Sequence, residues 1–138
     1  MIRVLVAEDS TVVQKLIVGI LEREPGMRVA GIAGNGVQAV EMACALKPDI
    51  ITMDICMPKL DGFEATKQIM SCCPTPIVIV SASVARDMDA TFSAVKAGAL
   101  TVLEKPRGLT SADYENIFVF LDHYVPLFEI ISYRLLKV

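Results

Sequence analysis

Carboxylates, a hydroxyl and an amine recur in this sequence where short apolar runs stop. Glu8 and Asp9 follow the run Ile2 to Ala7, Asp54 closes the run that starts at Asp49, Ser81 follows Ile77 to Val80, and Lys105 follows Leu100 to Glu104. Brought together, Glu8, Asp9 and Asp54 would repel one another, by about 4 kcal/mol for a pair about 4 Å apart at an effective dielectric near 20. Something positive is required among them. A hard divalent cation that prefers oxygen ligands, Mg2+ above all, would relieve the repulsion while keeping several waters, and the ammonium of Lys105 adds a second positive charge. In that field a carboxylate oxygen of Asp54 can act as a nucleophile toward a phosphoryl group. Phosphoryl transfer asks the protein mainly for positioning and for stabilisation of charge on the equatorial oxygens. The residue set offers both. Asp9 and Asp54 are expected to bind the metal directly, Glu8 through a water, and the loop backbone at Cys56 through a carbonyl. Ser81 would hydrogen-bond one phosphoryl oxygen and Lys105 would pair with another, with small Ala82 leaving Asp54 accessible.

Taken singly, each signal has a plainer reading. An acidic pair after a strand is as often a helix cap or a solvated turn, a serine there more often caps a helix than binds a ligand, and a Lys-Pro dipeptide is usually a loop. Their joint occurrence in this order, each at a strand end, favours a phosphate and metal site, because open parallel sheets bind ligands beyond the carboxyl ends of their strands.

The elements that would hold these residues follow from periodicity. Ile2 to Ala7 is apolar and of strand length, after which Val12, Val13, Leu16, Ile17, Ile20 and Leu21 fall on one helical stripe over Thr11 to Arg23. Ser10 stands where a cap is needed, and Pro25-Gly26 ends the helix. The alternation repeats: strand Arg28 to Ala33, turn Gly34-Asn35-Gly36, helix Val37 to Leu46 stopped by Pro48, and strand Asp49 to Asp54. Past a loop with Pro58 and Gly62 come helix Phe63 to Ser71, strand Ile77 to Val80, helix Arg86 to Ala97 ended by Gly98, and strand Leu100 to Glu104. Strands apolar on both sides and alternating with helices predict an α/β fold, a parallel sheet with right-handed crossovers and helices on both faces. Thr110 or Ser111 is placed to cap a fifth helix carrying Tyr114, Ile117, Phe118 and Leu121, with Asp113 and Glu115 in its first turn. Pro126 should kink or end it. The apolar residues beyond, Leu127, Phe128, Ile130, Ile131, Leu135 and Leu136, need a partner, and three uses stay open: continuing the core, pairing with a second copy in a homodimer, or starting a linker.

Composition narrows the function classes. At 138 residues the chain suits one domain, able to bury about two-thirds of its unfolded surface. A net charge of −3 without a clustered basic face argues against nucleic acid. No apolar run approaches the length of a membrane span, and Glu8 and Asp9 interrupt the first apolar stretch too early for a secretory leader. These absences point to a cytoplasmic protein that does not engage a membrane. Cys44, Cys56, Cys72 and Cys73 lack metal-ligand spacing, and His123 is the single histidine. All four cysteines are expected to be small apolar fillers in a reducing compartment.

Glu8-Asp9-Ser10, the stretch Asp54-Ile55-Cys56-Met57-Pro58-Lys59-Leu60-Asp61-Gly62, Ser81-Ala82 and Lys105-Pro106 together resemble the receiver domain of two-component response regulators. The resemblance covers residues 1–123 and leaves 124–138 as a C-terminal helical extension or the start of a linker. It implies the flavodoxin-like, doubly wound five-stranded sheet in the order 2-1-3-4-5, the order given in general accounts of doubly wound folds for a member of this family. It further implies phosphorylation of Asp54 by a sensor histidine kinase with Mg2+, a cis peptide between Lys105 and Pro106, and output to an effector domain or downstream protein through the fourth helix, fifth strand and fifth helix. Pro74 to Ala82 and Lys105-Pro106-Arg107-Gly108 are similar to the receiver half of chemotaxis protein-glutamate methylesterases, which implies a part in controlling chemotaxis. No GxSxG nucleophile elbow is present, so these residues carry no esterase signature. Receivers commonly place Tyr or Phe where this chain has Val102, so the aromatic half of the usual switch is missing. By the same resemblance, Cys56 and Ser83 occupy positions that influence hydrolysis of the acyl phosphate. Two other functions suit parts of the pattern: a magnesium-dependent aspartyl phosphatase or phosphotransferase for small molecules, and an interaction module that works without phosphorylation. The first lacks a second catalytic acid, and the second is disfavoured by the joint presence of Asp54, Ser81 and Lys105.

Overall fold

The computed structural model describes residues 1–81, 88–105, 108, 110, 112–116, 119 and 121. Strands and helices alternate as β1 (Ile2–Ala7), α1 (Thr11–Glu22), β2 (Met27–Ala33), α2 (Gly36–Leu46), β3 (Ile50–Asp54), α3 (Gly62–Cys72), β4 (Ile77–Ser81), α4 (Met88–Ala97) and β5 (Thr101–Glu104). The strands form one sheet in the order β2-β1-β3-β4-β5, and every pairing is parallel. This is the doubly wound, flavodoxin-like order that the sequence resemblance implies. Ala82, Ser83, Arg86, Arg107, Ser111, Ile117, Phe118, His123, the Lys105–Pro106 peptide bond and the extension 124–138 lie outside the described residues.

Alternate residues of each inner strand feed two separate cores, the reason the strands read as continuous apolar runs. Val4, Val6, Ile50, Val78 and Val80 face Val13, Ile17, Ile20 and Leu21 of α1, together with Tyr114 and Leu121. Leu5, Ile51, Met53, Ile77 and Ile79 face Ala39 and Ala43 of α2, Ala65 and Ile69 of α3, and Ala94 of α4. Each large aliphatic side chain so buried contributes about 1.5–3 kcal/mol, and α2 presents only the small residues Gly36, Ala39 and Ala43 as its fully buried face. One polar residue interrupts the first core. Thr52 is 2% exposed, and its Oγ1 has no hydrogen-bond partner among the described residues.

Helix starts are fixed by side chains that satisfy otherwise unpaired amides. Ser10 accepts from the Val13 amide, Asn35 from Gln38 and Asp61 from Glu64. Between the alternatives for the fifth helix, Thr110 does the capping: its Oγ1 accepts from the Asp113 amide at 3.3 Å while Asp113 Oδ2 accepts from the Thr110 amide at 3.0 Å. This reciprocal arrangement is a capping box, and residues 112–116 are helical. At the other end of α4, Gly98 takes φ 112° and stops the helix.

Two expectations need correction. Val12, placed on the buried stripe of α1, is 51% exposed. The helix lies on one face of the sheet, so Val13, Ile17, Ile20 and Leu21 are buried in the core and Leu16 packs half-buried against it, while Val12 alone of the stripe faces solvent. The cysteines are not uniformly apolar fillers. Cys44 of α2 and Cys73 at the end of α3 are joined in a disulfide with 5.6 Å between their Cα atoms, and Cys56 and Cys72 are exposed.

Candidate functional site

Parallel pairing brings all five strand ends to one rim, as the pairs Ala7 with Ala33, Ala7 with Met53, Asp54 with Val80, and Ser81 with Glu104 show. Glu8 and Asp9 therefore emerge next to Asp54, the last residue of β3. Ligand oxygens of Glu8, Asp9 and Asp54 all lie within 4.8 Å of one another. Glu8 and Asp54 are buried and Asp9 is exposed, so the cluster opens to solvent on the Asp9 side.

Lys105 reaches this cluster from the far side of the sheet. β4 and β3 separate β5 from β1, yet Lys105 Nζ stands 3.0 Å from Glu8 Oε1 and 3.5 Å from Asp54 Oδ2. The shorter contact goes to Glu8, which sequence reasoning had placed only as a water-mediated metal ligand. Burial, reinforced by Asp54 and opposed by Lys105, raises the Glu8 carboxyl from an ordinary 4.5 to about 7. Burial also penalises the Lys105 ammonium, but the hydrogen bond it donates to Glu8 and the charges of Asp54 and Glu8 outweigh it and hold the amine above its usual value. One ammonium thus leaves the three carboxylates undercompensated. The donor set of hard oxygens with excess negative charge fits a divalent cation.

Local structure holds each carboxylate in place. The Glu8 amide donates to Ala33 O at 2.9 Å, its carbonyl accepts from Gln14 Nε2 of α1 at 2.6 Å, and its Oε1 accepts from the Ser10 amide at 3.3 Å. Beyond Asp54 the loop folds tightly. Ile55 O accepts from Met57 and Gly62 amides, and Pro58 O accepts from Leu60, with Lys59 between them at φ 68°. Two glycines permit this packing: a Cβ on Gly62 would lie 2.2 Å from Asp54 O, and a Cβ on Gly36 would lie 2.0 Å from Leu60 O. The Cys56 carbonyl belongs to this braced loop.

The structure thus gathers Glu8, Asp9, Asp54 and Lys105, as their positions at strand ends predicted. Ser81 ends β4 at the same rim beside the edge strand that leads to Lys105, while its side chain and Ala82 lie outside the described residues. Val102, at the position usually aromatic, is half-buried against the second core. Sequence reasoning missed Gln14, because a glutamine on a helix gives no signal of its own, and Gly36, which it read only as part of a turn. Gly62 was visible as a loop glycine, but its close approach to Asp54 was not.

A parallel sheet in this order, with three acids and a lysine converging at its carboxyl rim, defines a receiver-type domain. The model of the response regulator receiver domain matches residues 4–112, and the chain belongs to that family. Its curated relatives include protein-glutamate methylesterase/protein-glutamine glutaminase 4 of Myxococcus xanthus, 49% identical over 83% of this chain and 32% of the relative. A second such protein, from Methanospirillum hungatei, is 51% identical over 84% of this chain and 33% of its own length. The chain therefore spans about a third of the relatives it matches. Among solved structures, the response regulator domain of Thermotoga maritima CheB superposes with a TM-score of 0.83 at 38% identity, covering 92% of this chain and 95% of that one. CheY in the CheX–CheY–BeF3–Mg complex of Borrelia burgdorferi gives 0.72 at 27% identity over 86% and 89%. Among the described residues no helix is long and apolar enough to cross a membrane.

Proposed function

We propose that this domain is a phospho-acceptor in which Asp54 takes a phosphoryl group from a phosphohistidine of a sensor histidine kinase. A carboxylate oxygen of Asp54 bonds to phosphorus as the phosphorus–nitrogen bond breaks, and the departing imidazole keeps the electron pair and gains a proton. The observation that carries this reading is the convergence of Glu8, Asp9 and Asp54 within 4.8 Å, with Lys105 bridging Glu8 and Asp54. Glu8, Asp9, Asp54 and the Cys56 carbonyl would hold Mg2+, which when bound supplies charge neutralisation for the incoming phosphoryl oxygens. Lys105 would exchange its contact with Glu8 for a phosphoryl oxygen, and Ser81 would take another. A phosphoryl group adds about −1.5 to −2 of charge. By pairing better with one arrangement of the Ser81 and Lys105 loops, it biases an existing equilibrium.

The readout face of this proposal is α4, β5 and the fifth helix, where Phe92, Val95, Leu100 and Val119 are exposed. It would engage an effector domain or downstream protein, in a chemotaxis circuit of the cytoplasm like that implied by the methylesterase relatives. In this reading residues 1–123 are the receiver, while 124–138 form a helical extension, linker or homodimer contact.

Incubation with acetyl phosphate and Mg2+, followed by intact mass measurement, tests the reading. One phosphoryl adduct is expected on the wild type and none on Asp54→Ala. An adduct that survives the substitution would overturn the assignment, and sustained turnover of small phosphate esters would favour the phosphatase alternative.

A further inference from the structure

The cysteines point to a second site, remote in function from the acidic pocket. Cys44 lies on α2 and Cys73 follows the last turn of α3, its amide still donating to Ile69 O at 2.9 Å. Their Cα separation of 5.6 Å lies within the usual range for a bridge. Both residues are half-buried, so a small thiol can approach them, and the neighbouring Cys72 is an exposed free thiol. Sulfur chemistry is therefore concentrated and accessible where α2 and α3 meet. In reducing compartments, bridges that do form are mostly transient or redox-sensing.

We propose that the Cys44–Cys73 pair is a reversible thiol–disulfide exchange site for low-molecular-weight thiols and their disulfides, and that its oxidised state fastens α2 to α3. In reduction, a thiolate attacks one sulfur of the bridge, leaving a mixed disulfide and one cysteine thiolate. A second thiolate attacks the mixed disulfide and releases the small-molecule disulfide. The balance is one protein disulfide plus two small thiols giving two cysteine thiols plus one small disulfide, and oxidation is the reverse.

The position of the bridge gives the exchange a structural consequence. The covalent ring runs from Cys44 to Cys73, a sequence separation of 29, and encloses β3, Asp54, the following loop and α3. At the opposite ends of the same two helices, Gly36 packs on Leu60 and Gly62 on Asp54. The segment that carries Asp54 is thus covalently closed at one end and sterically held at the other. Reduction frees the covalent end alone.

Equilibrating the chain in glutathione buffers of graded thiol-to-disulfide ratio, then trapping with iodoacetamide and mapping by mass, tests this. Cys44 and Cys73 should pass together from protected to alkylated as the buffer becomes reducing, while Cys56 and Cys72 are alkylated or glutathionylated but never joined to either. Thermal unfolding of the wild type should fall by roughly 5 °C or more on reduction, and that response should vanish in Cys44→Ser and in Cys73→Ser. Equal alkylation of Cys44 and Cys56 in every buffer would overturn the proposal. So would a bridge that stays closed under excess dithiothreitol in native buffer, or a wild type whose midpoint ignores reduction. None of these readouts involves phosphoryl uptake, so failure here leaves the reading of Asp54 standing.

Discussion

Replacing Glu8 with glutamine should remove a pH dependence built into the acidic pocket. In the metal-free domain burial and Asp54 raise the Glu8 carboxyl from 4.5 to about 7. Below pH 4.5 the group is protonated in folded and unfolded chains alike and contributes nothing to the balance. Between these values the unfolded chain has released a proton that the folded domain retains, so stability falls as pH rises. Above about pH 7 both states are ionised and the loss is complete. One pKa unit corresponds to about 1.4 kcal/mol, which bounds the loss at about 3 kcal/mol. Glu8→Gln keeps the shape and cannot ionise. It also costs Lys105 a charged partner, but Lys105 stays protonated throughout this range, so that offset is constant. The stability of the variant relative to wild type should therefore grow by up to about 3 kcal/mol from the acid to the neutral end. Urea unfolding at fixed ionic strength with a chelator present measures it, provided the slope m is unchanged. Excess Mg2+ should flatten the wild-type dependence by favouring the carboxylate. A difference that is flat with pH, or that shrinks toward neutrality, would refute the electrostatic description of the pocket.

Two other substitutions probe the scaffold. Thr52→Val exchanges a buried hydroxyl without a partner among the described residues for a methyl of similar size, and should raise stability by about 1 kcal/mol in the same unfolding assay. Gly36→Ala would set a Cβ 2.0 Å from Leu60 O. The loop after Asp54 must then shift, costing roughly 1–3 kcal/mol and weakening Mg2+ binding measured by calorimetry, whereas Gly19→Ala, with open space around it, should do neither.

The strands and helices were legible because every inner strand is apolar on both sides and each helix changes the period to that of a one-sided stripe. Observed ends of the described elements fall within two residues of the expected ones, as at Gly36–Leu46 and Thr101–Glu104. The site was legible for a topological reason: parallel strands deliver their last residues to one rim, so Glu8, Asp54 and Lys105 could be grouped without coordinates. What stayed hidden depends on distances between elements that sequence spacing does not encode. The preference of Lys105 for Glu8, the approach of Gly36 to Leu60 and the bridge from Cys44 to Cys73 are each set by how elements lie across the sheet or against each other. Val12 was misplaced because a helix resting on one face buries a narrower arc than its apolar residues span.

The pairing of β1 with β2 slips between Val4 and Leu5, so that Val4 faces Val29 while Leu5 faces Gly31 and Ala30 is left over. An outer strand with a surplus residue is bent and over-twisted, and its outward amides and carbonyls no longer repeat evenly. A neighbouring molecule trying to extend the sheet there would meet a broken ladder, and on the opposite border it would find only the four residues of β5. Both borders thus discourage strand-by-strand polymerisation, and self-association is steered toward helix surfaces.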